Sequence, residues 1–101
     1  MSDLNSQFEH NMKIGLLTMN NLTHKRWRIE GCIILCESSQ IRLTYSRTTG
    51  QWVAFHFGIL ISEQRYLNSG EQPTPLSAYQ MLKHNVERHI EVIRVHLEAM
   101  A

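Results

Sequence analysis

The sequence is poor in the residues from which catalytic and disulfide-linked sites are built. Its 101 residues include two cysteines and a single aspartate, Asp3. Two cysteines are too few for a disulfide framework, so we expect a reducing compartment and a cytoplasmic protein. Because the chain has no phosphate-binding loop, dinucleotide fingerprint or paired-carboxylate motif, we expect neither an enzyme nor a bound cofactor.

Long apolar runs are also missing. The longest, around residues 32–36 and 59–61, are far too short to span a bilayer. The N-terminus has neither the basic region nor the apolar region of a signal peptide. We therefore expect no membrane partner.

The chain carries no strong excess of either charge. Its formal net charge is +1, with six histidines counted as neutral, which argues against a strongly basic nucleic-acid binder and against an acidic mimic. Hydrophobic residues make up 43% and charged residues 19%, values typical of a folded globular chain. The length is that of one domain, so we predict a single α+β domain over residues 1–101.

A long amphipathic helix over residues 75–100 is the clearest element that the sequence predicts. Thr74 and Pro75 suit its N-cap and first helical position. The main apolar stripe is Tyr79, Leu82, Val86, Ile90, Ile93, Leu97 and Met100, and a second, weaker stripe is Met81, Val92, Val95 and Ala99. Two stripes indicate two neighbours. A linker over residues 68–73 precedes this helix.

A second helix is predicted at the other end of the chain, over residues 3–19. Apolar residues recur there at three- and four-residue spacing, among them Phe8, Met12 and Met19. Gly15 lies in the same stripe, where it would allow close packing against a sheet. Asn20 and Asn21 suit the end of the helix.

The middle of the chain alternates as strands do, and we predict three, over residues 26–36, 40–47 and 51–61. A short turn at residues 37–39 would pair Ile33 with Leu43, and a glycine turn at residues 48–50 would pair Leu43 with Phe55. The resulting core face is Ile29, Gly31, Ile33, Leu35, Ile41, Leu43, Tyr45, Val53, Phe55, Phe57 and Ile59. The predicted order is α-β-β-β-α, a three-stranded antiparallel meander packed with two helices.

The same register defines a second face of the sheet, which mixes aromatic, apolar and basic side chains. This mixture is typical of a protein interface. We predict a partner-binding site of Ile34, Arg42, Trp52 and His56. The alternative is that the N-terminal helix covers this face.

The histidines of the last helix suggest self-association rather than metal binding. His89 and His96 face the same way but lie about 10.5 Å apart along the axis, too far to share one metal ion. They lie between the two apolar stripes, so we predict a homodimer interface of His89, Val92, Val95 and His96. We expect no metal site.

These patterns predict a small non-enzymatic protein-binding module, an inhibitor or adaptor that occludes a macromolecular partner such as another protein or a protein complex. The alternative is a small nucleic-acid-binding regulator that uses the basic hairpin end. Its candidate residues are Lys25, Arg26 and Arg28, which flank an aromatic residue, Trp27, as in single-strand binders. Arg47 would extend this basic cluster.

Overall fold

The computed structural model describes residues 3–100 of the chain, so Met1, Ser2 and Ala101 lie outside it. The elements are helix α1 (Asp3–Leu22), strands β1 (Trp27–Glu30), β2 (Ile33–Cys36), β3 (Ile41–Tyr45), β4 (Trp52–Ser62) and β5 (Arg65–Asn68), and helix α2 (Pro75–Met100). This architecture confirms the predicted α+β class, with one helix before the strands and one helix after them in the chain.

Side-chain hydrogen bonds cap the start of α2 and fix the end of α1, which runs to Leu22, three residues past the predicted end. Thr74 and Ser77 form a reciprocal cap: the Ser77 amide donates to Thr74 Oγ1 at 3.0 Å, and the Thr74 amide donates to Ser77 Oγ at 3.2 Å. At the end of α1, Asn20 Oδ1 accepts a hydrogen bond from the Trp27 amide at 2.8 Å. This bond fixes the chain where it leaves the helix and enters β1.

The sheet has five strands where the sequence analysis predicts three. They pair antiparallel in the order β1-β2-β3-β4-β5. The predicted strand over residues 26–36 is in fact a hairpin, because Gly31 adopts a φ of 61° and turns the chain back. A positive φ at the first central residue is typical of a tight hairpin turn with glycine there. The fifth strand follows a second tight turn, where Ser62 pairs with Arg65.

The predicted register is wrong by one residue at both inner hairpins. Leu43 pairs with Ile34 on one side and with Ala54 on the other, instead of with Ile33 and Phe55. The loops that join β2 to β3 and β3 to β4 are residues 37–40 and 46–51, longer than the predicted turns. Because side chains alternate with period two, a slip of one residue exchanges the two faces of a strand.

Both helices pack on one face of the sheet, and the core lies between the helices and that face. Its buried members are Phe8, Met12, Met19, Trp27, Ile34, Cys36, Leu43, Trp52, Ala54, Leu67, Ala78, Tyr79 and Leu82. Gly15 allows α1 to approach closely, since a Cβ there would lie 3.0 Å from Trp52 Cη2 and 3.2 Å from Ile34 Cδ1. The N-terminal helix therefore covers the face that carries Trp52, as the alternative interpretation held.

No helix within residues 3–100 combines the length and the apolar character needed to cross a membrane.

Candidate functional site

The sheet has a second face, opposite the two helices, which we call the open sheet face. Its side chains come from all five strands, because strand pairing aligns them in rows. Within residues 3–100 none of these side chains is buried, and both helices lie against the other face. The open sheet face consists of Arg28, Glu30, Ile33, Leu35, Arg42, Thr44, Val53, Phe55, Phe57, Tyr66 and Asn68.

Apolar side chains dominate the centre of this face. Ile33, Leu35, Val53, Phe55, Phe57 and Tyr66 are all half-buried, although no helix of the described chain packs on them. Their partial burial comes from contacts with one another across neighbouring strands. A solvated face of an antiparallel sheet normally alternates to polar residues, so this composition is typical of a surface that is covered in a complex.

Three aromatic rings form a cluster at one side of the open sheet face. The ring centroids of Phe55 and Phe57 are 6.1 Å apart, and those of Phe57 and Tyr66 are 4.6 Å apart. The guanidinium carbon of Arg42 lies 4.6 Å from the Phe57 ring centroid, a distance at which a cation is attracted to the ring. The guanidinium of Arg42 is thus stacked on the ring of Phe57 in the unbound chain.

The charges on this face are few and partly balanced. Arg28 and Arg42 lie in one row on either side of Leu35. Arg28 is bonded to Glu30 at 3.2 Å, and both of these side chains are exposed. The row therefore has one cation that is already paired with a carboxylate and one that is stacked on an aromatic ring.

The structure does not bring the predicted partner-binding residues together on one surface. Ile34 is fully buried and Trp52 is 4% exposed, both in the core. His56 is half-buried on that same face, where its Nδ1 accepts a hydrogen bond from the Gly58 amide at 3.1 Å. Arg42 alone lies on the open sheet face. The error follows directly from the register, since predicting Ile33 opposite Leu43 exchanges core and surface.

The wrong register also explains why the aromatic residues of the open sheet face are not predicted as a site. From the sequence, Phe55 and Phe57 are predicted to be core residues, and Tyr66 belongs to a strand that is not predicted. Gly31 was the available signal, because a glycine in a strand interior is typical of a turn or bulge. A turn predicted at Gly31 would divide the first predicted strand in two and would favour a different pairing register between the strands.

The predicted homodimer residues lie on α2 beyond the core. His89 is half-buried beside Leu67 of β5, in a groove that Asn85, Arg88 and Val92 also line. Val92, Val95 and His96 are exposed. Their role in self-association stays a prediction.

The residues of the nucleic-acid alternative do not form one patch. Lys25 and Arg26 lie in the loop between α1 and β1, and Arg28 is on the open sheet face. Arg47 is stacked on Phe8 of α1, with its guanidinium carbon 4.1 Å from the ring centroid. That contact places Arg47 on the helix side of the sheet, so the four cations do not share one surface.

Metal-binding and nucleophilic groups are sparse in the described structure. Among the side chains of residues 6–100, no three of His, Cys, Asp or Glu are close enough to hold a metal ion. Burial of Cys36 opposes ionisation, but the neighbouring polar groups of Ser39 and Ser38 and the charge of Lys25 outweigh it and lower the pKa of the thiol, with Ser38 Oγ 3.5 Å from the sulfur. Burial, and then the negative charge of ionised Cys36, raise the pKa of Tyr79. Cys32, in contrast, is exposed in the turn between β1 and β2.

The chain matches no family model, no curated protein and no solved structure.

Proposed function

We propose that the protein is a non-enzymatic protein-binding module whose open sheet face contacts a protein partner. As an inhibitor or adaptor it would act by occluding a surface of that partner. The observation that supports this function is the apolar centre of the open sheet face, on which no helix of residues 3–100 packs. It consists of Ile33, Leu35, Val53, Phe55, Phe57 and Tyr66.

The arrangement of Arg42 and Phe57 supports the same proposal. Aromatic and arginine side chains are the types most enriched among residues that dominate binding energy at protein interfaces. Here they are already stacked on each other and supported by a sheet. A pair that keeps this stacking in a complex would lose less conformational entropy on binding than two unconstrained side chains.

Single-stranded nucleic acid is the second candidate for this face, because exposed aromatic rings beside arginines can stack bases. Arg28 and Arg42 in one row favour it. The surrounding Ile33, Leu35 and Val53 favour a protein, and Glu30 reduces the positive potential by pairing with Arg28. The two candidates differ in salt dependence, since neutralising several phosphates makes affinity fall steeply as salt rises.

The test compares matched variants for capture of a partner from nuclease-treated lysate, followed by affinity measurement with the purified partner. Phe57→Ala and Arg42→Ala should each weaken binding by about 2 kcal/mol, roughly thirty-fold. Leu17→Ala is the control, because Leu17 is an exposed leucine on α1, away from the open sheet face. Far-ultraviolet circular dichroism verifies that each variant is folded.

Two outcomes would contradict the proposal. One is that Phe57→Ala and Arg42→Ala bind the captured protein as tightly as the wild type does. The other is that capture disappears with nuclease and that affinity for single-stranded nucleic acid falls steeply with salt, which would favour the second candidate.

A further inference from the structure

Helix α2 extends well past the sheet that it packs on. Its buried residues are Ala78, Tyr79 and Leu82, all near its N-terminus. From residue 90 to residue 100 every side chain is exposed. The 26-residue helix is about 39 Å long. Because residues 90–100 are exposed on all sides, this distal segment projects from the domain as a rod without tertiary contacts.

Apolar residues on this rod follow the spacing of a coiled coil. Ile90, Ile93, Leu97 and Met100 are 57%, 45%, 60% and 72% exposed. With Val86 they are separated by four, three, four and three residues, which is the alternation of the a and d positions of a heptad. We call these five residues the heptad stripe. Val86 is half-buried against the core of its own chain, whereas the four projecting residues lack a second helix that would bury them.

The charges beside the heptad stripe select the orientation of that second helix. If the partner is another copy and runs antiparallel, Val86 packs against Leu97 and Ile90 against Ile93, each contact occurring twice by symmetry. Glu87 of each copy then flanks Arg94 of the other, so two pairs of opposite charge form. In a parallel pair the flanking position opposite Arg94 would be His89, and no acid–base pair would form.

Contacts within one chain do not prevent this arrangement. Arg94 is bonded to Glu91 and to Glu98, the latter at 3.2 Å, and all three side chains are exposed. Exposed ion pairs contribute little to stability, so Arg94 is free to exchange or share these carboxylates with Glu87 of a second copy. Charge complementarity therefore favours the antiparallel pair.

We propose that a second copy of this chain covers the heptad stripe, forming an antiparallel homodimer through α2. The interface differs from the predicted one, because Val92 and Val95 lie off the stripe and Val95 points away from the second copy. The dimer leaves the open sheet face uncovered, since α2 packs on the opposite face. Each dimer then presents two open sheet faces, which would raise the apparent affinity for a partner with repeated sites.

The first test is the oligomeric state of the full chain by sedimentation equilibrium over a range of concentrations. Ile93→Glu places a charge in the central layer and should weaken dimerisation at least a hundredfold. Val95→Glu is the matched control, because Val95 is exposed to a similar degree, 52%, and lies off the stripe. It should leave the dimer intact.

The second test measures orientation by disulfide trapping in the Cys32→Ser background, which removes the exposed native thiol. Ile90→Cys and Ile93→Cys proteins are mixed and oxidised with glutathione disulfide. Antiparallel packing predicts a disulfide between position 90 of one copy and position 93 of the other. A monomeric wild type at high micromolar concentration, dissociation by Val95→Glu but not by Ile93→Glu, or only 90–90 and 93–93 disulfides would each overturn the proposal.

Discussion

Replacing Trp52 with alanine measures directly which face of the sheet is core. The indole is 4% exposed, and its ring centroid lies 4.7 Å from that of Tyr45. Its Cη2 atom lies against Gly15 of α1, so truncation would leave a cavity between helix and sheet. Removing a buried tryptophan typically costs about 3–5 kcal/mol. In a domain of this size that loss lowers the melting temperature by about 12 °C or more.

The matched control for this substitution is Phe55→Ala. Phe55 lies on the same strand but on the open sheet face, and its ring is half-buried. Because only part of its area is removed from water, we expect a cost of about 1–2 kcal/mol. Urea unfolding followed by far-ultraviolet circular dichroism gives both free energies. A smaller loss for Trp52→Ala than for Phe55→Ala would refute the assignment of the two faces.

Three further predictions concern the core and its edges. Gly15→Leu should destabilise the fold by about 1–3 kcal/mol because its side chain would overlap Trp52 and Ile34, and a wild-type melting temperature would contradict the close approach of α1. An aromatic disulfide reagent should modify Cys32 rapidly and Cys36 only after unfolding, whereas a rapid phase that survives Cys32→Ser would show that Cys36 is accessible. The raised pKa of Tyr79 means that its contribution to stability is full below about pH 10 and is lost as pH rises through the raised value. Tyr79→Phe should reduce this alkaline loss in pH-dependent urea unfolding, and an unchanged loss would count against burial of the phenol.

The helices were predictable because their signals are local. Thr74 and Pro75 place the start of α2, and the three- and four-residue spacing that includes Phe8, Met12 and Met19 defines the buried side of α1. Cap chemistry and helical periodicity depend on residues within a few positions of each other. The existence of both helices therefore follows from the sequence, although α1 ends at Leu22 rather than at residue 19.

The sheet was less predictable because its register depends on exact loop lengths. Apolar residues lie on both faces of β2 and β4, so a period of two could not show which face of each strand is core. Ile33 and Leu35 are as apolar as Ile34 and Cys36, and only the latter pair faces the helices. Placing the turn at Gly31 decides which of these two pairs is core. The position of the candidate site follows from that assignment.

The two proposed surfaces make separate contributions to one function. The open sheet face would recognise a protein partner through Phe57 and Arg42, and the heptad stripe of α2 would set the number of such faces in each particle. Because α2 packs on the face opposite the open sheet face and its distal segment projects past the sheet, a monomeric variant such as Ile93→Glu should keep its recognition of the partner. It should lose only the gain in apparent affinity that two linked sites provide.

Site-specific photo-crosslinking tests the central claim, protein binding by the open sheet face, most directly. A benzophenone amino acid is placed at Val53, near the centre of that face, or at Leu17 on α1 as the control. In nuclease-treated lysate, the proposal predicts a discrete protein adduct from position 53 that Arg42→Ala abolishes, and none from position 17. An adduct with the same protein from position 17 alone, or a nucleic-acid adduct from position 53 when nuclease is omitted, would contradict it.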